Sequence, residues 1–345
     1  IDPFRVQPGQ QRRRRRRRTA AVGGDEGRVP ARRHAEIERG VIGAGRHPQR
    51  SGMEILLLGA GFIAIFYLLK YKTHYALIGL LTGSLVFVRL EGISILGPVL
   101  LLMVLDLKQK KIKTKDVLLF MLLLVIPILL YGWHNYHLSG SIFPNTLAAK
   151  STEYASLTST PLLLRYIKLF SVLLIGPSAF LLPGFIYAVW HAWKSKDAWL
   201  MAVMIWLLGF VLLYAVRLPV TYQHGRYLVP ALPVYMLLGY LGTVELLRIM
   251  HTKTRRLLGV FLYGSLLITS VIFYLQAVTT YREDVNTINA LMVEPAVWID
   301  QHTEPGARVA AHDIGAIGYF SNRRIIDLGG LIDPAVTSFI LDEAA

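Results

Sequence analysis

Long apolar runs alternate with short polar segments from about residue 53 to residue 277. Most runs approach the roughly 20 residues that a helix needs to cross the hydrocarbon core of a bilayer. A soluble protein with buried helices of this kind would need amphipathic partners to cover them, and the sequence offers none. The pattern therefore predicts membrane-spanning helices at residues 53–69, 74–90, 92–107, 117–133, 169–192, 198–216, 227–247 and 257–277.

The third predicted span is short and contains Gly97 and Pro98. Residues 74–107 are therefore open to a second interpretation, as a re-entrant pair of helices that enters and leaves the membrane on one side. The hydrophobic pattern alone does not choose between the two.

The last part of the chain, residues 280–345, has a different pattern. Residues 308–311 and 324–328 predict two short strands, and an apolar segment at 314–320 lies between them. We therefore predict an all-α polytopic membrane protein with about eight transmembrane helices in residues 51–279. A small, incomplete C-terminal α/β module follows in residues 280–345.

Composition supports a membrane protein, since 54% of the 345 residues are hydrophobic and only 17% are charged. The net charge of +15 is concentrated in residues 1–50, where 14 arginines face five acidic residues. A run as dense as Arg12 to Arg18 is typical of a disordered segment. No apolar stretch follows the run, as it would in a signal peptide. We interpret residues 1–50 as a disordered leader outside the fold, truncated or foreign, and predict no nucleic-acid partner.

The chain contains no cysteine, which excludes disulfides, thiolate nucleophiles and cysteine-bound metals. It also lacks the HExxH, P-loop and GxSxG motifs. We therefore expect neither a metal nor a cofactor.

Lysine and arginine are unequally distributed among the loops, and this inequality predicts the orientation. Basic residues collect in every second loop, which the positive-inside rule places in the cytoplasm. The loops at 134–168 and 217–226 and the tail then face outward. The basic loops contain Lys70 and Lys72; Lys108, Lys110, Lys111, Lys113 and Lys115; Lys194 and Lys196; and Arg248, Lys253, Arg255 and Arg256.

Several polar clusters fall on the predicted outer face. Glu54 opens the first span, Arg89 and Glu91 lie between the second and third, and His224, Arg226 and Tyr227 precede the seventh. Between two spans lies the segment GSIFPNTLAAK at 140–150, in a loop of the kind that often carries a binding site. Snorkelling to the lipid headgroups equally explains Arg89, Arg165 and Lys168. The aromatic residues of the loop are also explained as an interfacial belt.

Arg226 is the strongest of these candidates. It follows a glycine at the start of a predicted helix, beside His224. Free backbone N–H groups at a helix start favour an anion, and an arginine can hold a phosphate with two hydrogen bonds. A phosphate at this depth, on the outer face of a membrane, predicts a lipid-linked phosphate as ligand.

Five segments of the sequence occur in a characteristic order. They are SGME at 51–54, RLEG at 89–92, GSIFPNTLAAK at 140–150, GRYLVPALP at 225–233 and DIGAIGYFSNRRIIDLGGLIDP at 313–334. This set resembles bacterial GT-C glycosyltransferases, in particular the terminal arabinofuranosyltransferase and protein mannosyltransferase-like group. The resemblance covers roughly residues 51 to 342.

The resemblance implies a membrane enzyme that moves a sugar from a polyprenyl-phosphate donor to a glycan, lipid or protein acceptor, on the outer face of a bacterial plasma membrane. The family's catalytic Asp lies upstream of the Gly-Met-Glu motif, where this chain has its leader, so we expect that base to be missing. Glu54 is then a site member. The expected phosphate ligands are Arg226, His224 and Tyr227, and the expected cleft residues are Arg89, Glu91, Asn145, Thr146, Lys150 and Asp313.

Two other classes of function remain open at this point. A secondary transporter would carry ionisable residues near the middle of its spans, and these span centres are nearly free of charge. A non-catalytic lipid-binding membrane protein would have no phosphate pocket.

The loop charges make a direct prediction of topology. Reporters fused after residue 112 or 253 should read cytoplasmic, and reporters fused after residue 155 or 300 should read external. An external signal from the fusion at residue 112 would reverse the orientation and every site assignment that depends on it.

Overall fold

A computed structural model describes residues 53–71, 74–144, 146, 149–150, 153–333 and 336. The leader at residues 1–50 and Asn145 lie outside the described residues, so the predictions about them stay predictions. The described part is mostly helical. Its α-helices are α1 Met53–Tyr71, α2 Tyr75–Val88, α3 Leu96–Lys108, α4 Thr114–Ser139, α5 Leu162–Val172, α6 Leu182–Ser195, α7 Ala198–Arg217, α8 Leu232–Arg248, α9 Thr252–Ile288, α10 Glu294–His302 and α11 Ile314–Phe320.

Shorter helical turns lead into several of these helices. They are 3₁₀ turns at Leu90–Ile95, Ala155–Ser159, Gly176–Leu181, Gln223–Gly225 and Val229–Ala231, and a π-helical turn at Asn289–Val293 that joins α9 to α10.

Contacts between side chains define two ends of the helical bundle. At one end Arg89, which follows α2, binds Glu54 in the first turn of α1 at 3.1 Å. Near the same place Tyr214, close to the end of α7, donates to Glu91 before α3 at 2.7 Å. We call this the Arg89 end.

The opposite end is held by a separate set of contacts. Tyr75, at the start of α2, donates to Asp106 near the end of α3 at 2.9 Å. The ammonium of Lys70, at the end of α1, lies 4.7 Å from the ring centre of Trp199, at the start of α7. We call this the Lys70 end. Helices α1, α2, α3 and α7 therefore run between the two ends, and each of them is antiparallel to the one before it in this set.

Glycines allow two pairs of helices to pack closely. A side chain at Gly79 or Gly83 of α2 would collide with the backbone oxygens of Phe120 or Leu124 of α4. Since both contacts advance by four residues, α2 and α4 are parallel, and their GxxxG spacing is the one that lets helix backbones approach in membranes. Gly184 of α6 meets Gly239 and Gly242 of α8 in the same way: α6 and α8 also run parallel.

The remaining helix, α9, returns to the Arg89 end, where its Asp284 binds His224 at 2.8 Å. Within the described residues, eight helical segments thus alternate in direction between the two ends. They are α1, α2, α3, α4, the segment Gly176–Ser195, α7, α8 and α9.

Fewer than eight of these segments are long enough for an ordinary bilayer. In the part of the chain that the structure describes, six helical segments are long and apolar enough to span one, or seven if a bent pair counts as one span. The predicted span at 74–90 falls short because α2 has 14 residues, or about 21 Å of helix. Hydrocarbon cores are about 30 Å thick.

The bent pair corrects the predicted span at 169–192. Residues 169–172 of the predicted span belong to the end of α5, and α5 lies at 107° to the segment Gly176–Ser195 that contains most of the rest. Gly176 has φ +71°, a conformation that glycine adopts without strain. Pro177 follows it and has no N–H to continue a helical ladder. The chain therefore turns sharply before it enters the bundle.

The boundary cations also differ from the simple snorkelling interpretation. Lys168 is exposed, as that interpretation requires. In contrast, the Nε and Nη1 atoms of Arg165 are buried and have no hydrogen-bond partner among the described residues. The Arg89 side chain is only 17% exposed and is held by two carboxylates.

The C-terminal module contains both predicted strands. β1 (Arg308–Ala311) and β2 (Arg324–Asp327) pair in parallel, and α11 connects them. The side chain of Arg323, 6% exposed, binds the carboxylate of Asp300 at 3.0 Å and the carbonyl of Thr303 at 2.7 Å. These bonds attach α10 to the start of β2.

The close contact between α2 and α4 predicts how glycine substitutions affect stability. Gly79→Ala should lower the melting temperature in detergent, because the added methyl group forces the backbones apart at a cost of about 1–3 kcal/mol. Gly209→Ala in α7 is the matched control, since open space surrounds that position and alanine favours a helix by up to about 1 kcal/mol. Equal shifts for the two variants would contradict the glycine-mediated packing.

Candidate functional site

A cavity of about 460 Å³ opens at the Arg89 end of the bundle. Six parts of the chain form its walls: the start of α1, the break between α2 and α3, Tyr131 of α4, the polar segment after α4, the end of α7 and the turn before α8. The polar and aromatic lining residues are Glu54, Arg89, Glu91, Tyr131, Thr146, Lys150, Tyr214, Arg217 and Tyr227. Six of these nine residues were predicted from the sequence.

Arg89 is the centre of a hydrogen-bond network in the cavity wall. Its Nε and Nη2 atoms donate to the two oxygens of Glu91 at 3.2 and 3.0 Å, and its Nη1 donates to Glu54 at 3.1 Å. Tyr214 donates to the same Glu91 from α7 at 2.7 Å. Three of the five N–H donors of Arg89 are thus bound to carboxylates, and these two carboxylates compensate its positive charge.

The local backbone explains why Arg89 and Glu91 bind each other. Arg89 is extended, with φ −157° and ψ 144°, and it separates the end of α2 from the 3₁₀ turn at Leu90–Ile95. That geometry brings Glu91 back under the guanidinium two residues away. Burial by itself lowers the pKa of Arg89, but the hydrogen bonds and charge of Glu91 outweigh it and raise the pKa above its ordinary value. The guanidinium is therefore permanently charged.

Tyr227 lies buried beneath three cations. The ring centre is 5.5 Å from the Lys150 ammonium, 5.9 Å from the Arg89 guanidinium and 5.1 Å from that of Arg226. The Arg226 side chain also donates to the Tyr227 hydroxyl at 3.2 Å. An aromatic face attracts cations, but it does not cancel their mutual repulsion. Three positive groups around one ring favour an anion nearby.

Two of the lining cations have no acidic partner among the described residues. Lys150 contacts the Tyr227 ring, and Arg217, at the end of α7, forms no side-chain hydrogen bond or ion pair with any residue that the structure describes. The cavity wall thus contains three cations and two carboxylates, and both carboxylates bind Arg89. The unbalanced positive charge is located on Lys150 and Arg217.

Sequence reasoning missed Arg217, Tyr214 and Tyr131. The only signal for Arg217 was its position one residue beyond a predicted span, where a boundary cation is ordinary. Tyr214 and Tyr131 lie within apolar runs, where the sequence does not distinguish them from ordinary membrane-facing aromatic residues. Their positions in the cavity wall become apparent only in the folded protein. Contacts between residues more than a hundred positions apart, such as Tyr214 with Glu91, leave no local pattern in the sequence.

Several predicted site residues do not line the cavity. His224 is exposed and binds Asp284, and Arg226 reaches the cavity only through Tyr227. Asp313 is exposed on the C-terminal module, at the start of α11. Among the described residues no group of three His, Asp or Glu side chains is arranged to hold a metal ion.

Comparison with known proteins gives little further information. Residues 279–343 match a family model described as a domain of unknown function (DUF8728). The matched region extends from within α9 through both strands of the C-terminal module. No curated protein and no solved structure matches the chain. The fold itself defines a helical protein with several apolar segments of membrane-spanning length.

The two carboxylates that hold Arg89 should differ in their effect on stability. Glu91→Gln should destabilise the protein by about 2–3 kcal/mol, since it removes the partly buried carboxylate that accepts three hydrogen bonds. Glu54→Gln should cost at most about 1 kcal/mol, because that side chain is 46% exposed. Unfolding in mixed micelles measures both variants. A larger loss for Glu54→Gln would refute the central role of Glu91.

Proposed function

We propose that the protein is a multi-pass membrane glycosyltransferase whose cavity at the Arg89 end binds a polyprenyl-phosphate sugar. Transfer of the sugar to a cell-envelope acceptor occurs on the outer face of a bacterial plasma membrane. The observation that carries the proposal is the pair Lys150 and Arg217, which line the cavity and have no carboxylate partner in the described part of the chain. A lipid phosphate supplies the missing negative charge.

The shape of the site suits an amphiphilic donor. Apolar residues such as Leu90, Ile93 and Leu213 share the walls with the charged groups. A prenyl chain leaves the apolar side of such a cavity for the surrounding lipid, while the phosphate stays with the cations. Charge-assisted hydrogen bonds to phosphate are strong in a partly dehydrated site.

In the reaction we propose, an acceptor hydroxyl oxygen attacks the anomeric carbon of the donor sugar. A new C–O bond forms as the bond to the lipid phosphate breaks, and the phosphate leaves with the electron pair. Lys150 and Arg217 stabilise the charge that develops on the phosphate. A carboxylate must take the acceptor proton. Glu91 is held by Arg89 and Tyr214, so among the described residues of the cavity wall the more exposed Glu54 takes this proton as the new C–O bond forms.

We also propose eight membrane crossings, and the alternating directions of the eight helical segments support this number. Although α2 is shorter than a usual span, it reaches from the Tyr75–Asp106 contact to the Arg89–Glu54 contact. Arg89 and the polar residues after it then lie near one membrane boundary. With the basic loops in the cytoplasm, this boundary is the outer one.

A transporter fits these observations less well. Transporters place ion and substrate sites near the membrane midplane. Here the ion pair Arg89–Glu91 lies at one end of the bundle, and the buried hydrogen bond from Tyr75 to Asp106 lies at the other.

Substitution of the unpartnered cations tests the phosphate site. Arg217→Ala and Lys150→Ala should each weaken binding of a polyprenyl-phosphate analogue by roughly ten- to a hundredfold, the equivalent of about 1.5–3 kcal/mol. Arg217→Lys should recover only part of the loss, since an ammonium lacks the planar fork. Arg308→Ala, an exposed change in β1, is the control and should have no effect.

The same binding assay examines the sequence-based prediction for Arg226. A loss for Arg226→Ala equal to that for Arg217→Ala would place both arginines on the phosphate. If Arg217→Ala and Lys150→Ala bind the analogue as tightly as the parent, the proposed site is wrong. Substrate uptake into proteoliposomes without any sugar transfer would favour the transporter instead.

A further inference from the structure

A second cavity, of about 420 Å³, lies between α8 and α9. Its wall includes Arg248 in the last turn of α8, at the end of the bundle opposite Arg89. None of its lining residues is shared with the cavity at the Arg89 end. The remaining polar wall comes from the first three turns of α9.

Residues of α9 that line this cavity repeat with helical spacing. Thr252, Arg256, Gly259 and Tyr263 are separated by four, three and four residues, so they form one stripe along the helix. Arg255 lies beside the stripe and also lines the cavity. The stripe and Arg255 together contribute two guanidinium groups, a hydroxyl and a phenol.

The positive charge of this cavity is not balanced by the protein. Arg248 binds Glu245 at 2.7 Å, in a pair that is largely exposed. Arg255 and Arg256 have no side-chain partner among the described residues, and the first turn of α9 contains no acidic residue. His251, before that turn, makes no side-chain capping bond. The free N–H groups of the helix start therefore add to the positive potential.

Gly259 keeps the cavity open. It is buried, yet no atom lies within 4 Å of the position that a β-carbon would occupy. A larger side chain there would enter the cavity without colliding with the backbone. The apolar wall at Leu247 and the aliphatic surface of α9 continue from this point along the bundle.

We infer that this cavity binds the phosphate of an anionic phospholipid headgroup. Basic pockets between transmembrane helices, beside the membrane surface, are suited to such headgroups. Arg255 and Arg256 hold the phosphate, and Thr252, one turn before them, donates to a remaining oxygen. Tyr263 lies two turns beyond Arg256, where the acyl chains follow the apolar surface of α9. The ligand chemistry is that of a phosphate monoanion attached to a hydrophobic tail. This inference does not depend on glycosyl transfer at the other end.

Titration of short-chain phosphatidylglycerol into the detergent-solubilised full chain tests the inference, with phosphatidylcholine in parallel. Saturable binding should be seen for phosphatidylglycerol and be much weaker for phosphatidylcholine. The double variant Arg255→Gln/Arg256→Gln should weaken phosphatidylglycerol binding at least about tenfold. Gly259→Leu should do the same by filling the cavity, although it removes no charge.

Lys108→Gln/Lys110→Gln is the matched control, since it removes two exposed positive charges elsewhere in the predicted cytoplasmic loops. It should change the affinity by no more than about twofold. If the control loses as much affinity for phosphatidylglycerol as the arginine variant, the binding reflects general attraction of the lipid to surface charge, and the proposed site is wrong. Unchanged binding by both Gly259→Leu and the arginine variant would also overturn it. Inorganic phosphate that binds as tightly as phosphatidylglycerol would exclude a lipid as the ligand.

Discussion

The guanidinium of Arg89 needs two carboxylates around it, and this requirement organises one end of the molecule. A charged group that is largely removed from water must be paired and hydrogen-bonded. Glu91 meets that need from the 3₁₀ turn and Glu54 from α1, while Tyr214 adds a hydrogen bond from α7. One network thus connects α1, α2, α3 and α7 at the wall of the cavity.

The same network determines which cations remain for a ligand. Both acidic residues of the cavity wall are bound to Arg89, so Lys150 and Arg217 have no counter-charge there. Arg89 is held by carboxylates, whereas Arg217 is left for the ligand that we propose, although both arginines lie at helix ends. Residue type and position along the chain do not distinguish these two roles. They differ in whether a carboxylate binds the guanidinium group.

Much of the helical arrangement follows from the sequence because apolar length dictates it. The order and approximate position of the spans, and both strands of the C-terminal module, were predictable from hydrophobic runs and alternation. The bend at Gly176 was missed, although Gly176 and Pro177 are a turn signal, because the apolar residues on both sides were interpreted as one span. The shortness of α2 was also hidden, because Arg89 and Glu91 look like boundary charges until they are seen to bind each other.

The candidate site was predictable in part, for a related reason. Glu54, Arg89, Glu91, Thr146, Lys150 and Tyr227 are polar interruptions in an apolar sequence, and the predicted orientation placed them together. His224 and Asp284 are 60 residues apart, so their pairing depends on where α9 returns to the bundle. That return is a matter of tertiary packing, which periodicity does not encode.

The two cavities show why the position of a positive charge matters more than the total. In both, arginines without acidic partners lie beside apolar helix surfaces, a combination that favours a ligand with a phosphate and a hydrocarbon chain. At the Arg89 end the cations lie around the buried Tyr227 and beside two carboxylates, so an anion there meets a specific geometry. Between α8 and α9 the arginines are exposed, so water and salt screen them more strongly. The first environment is suited to stabilising charge that develops during a reaction, and the second to retaining a lipid that is already charged.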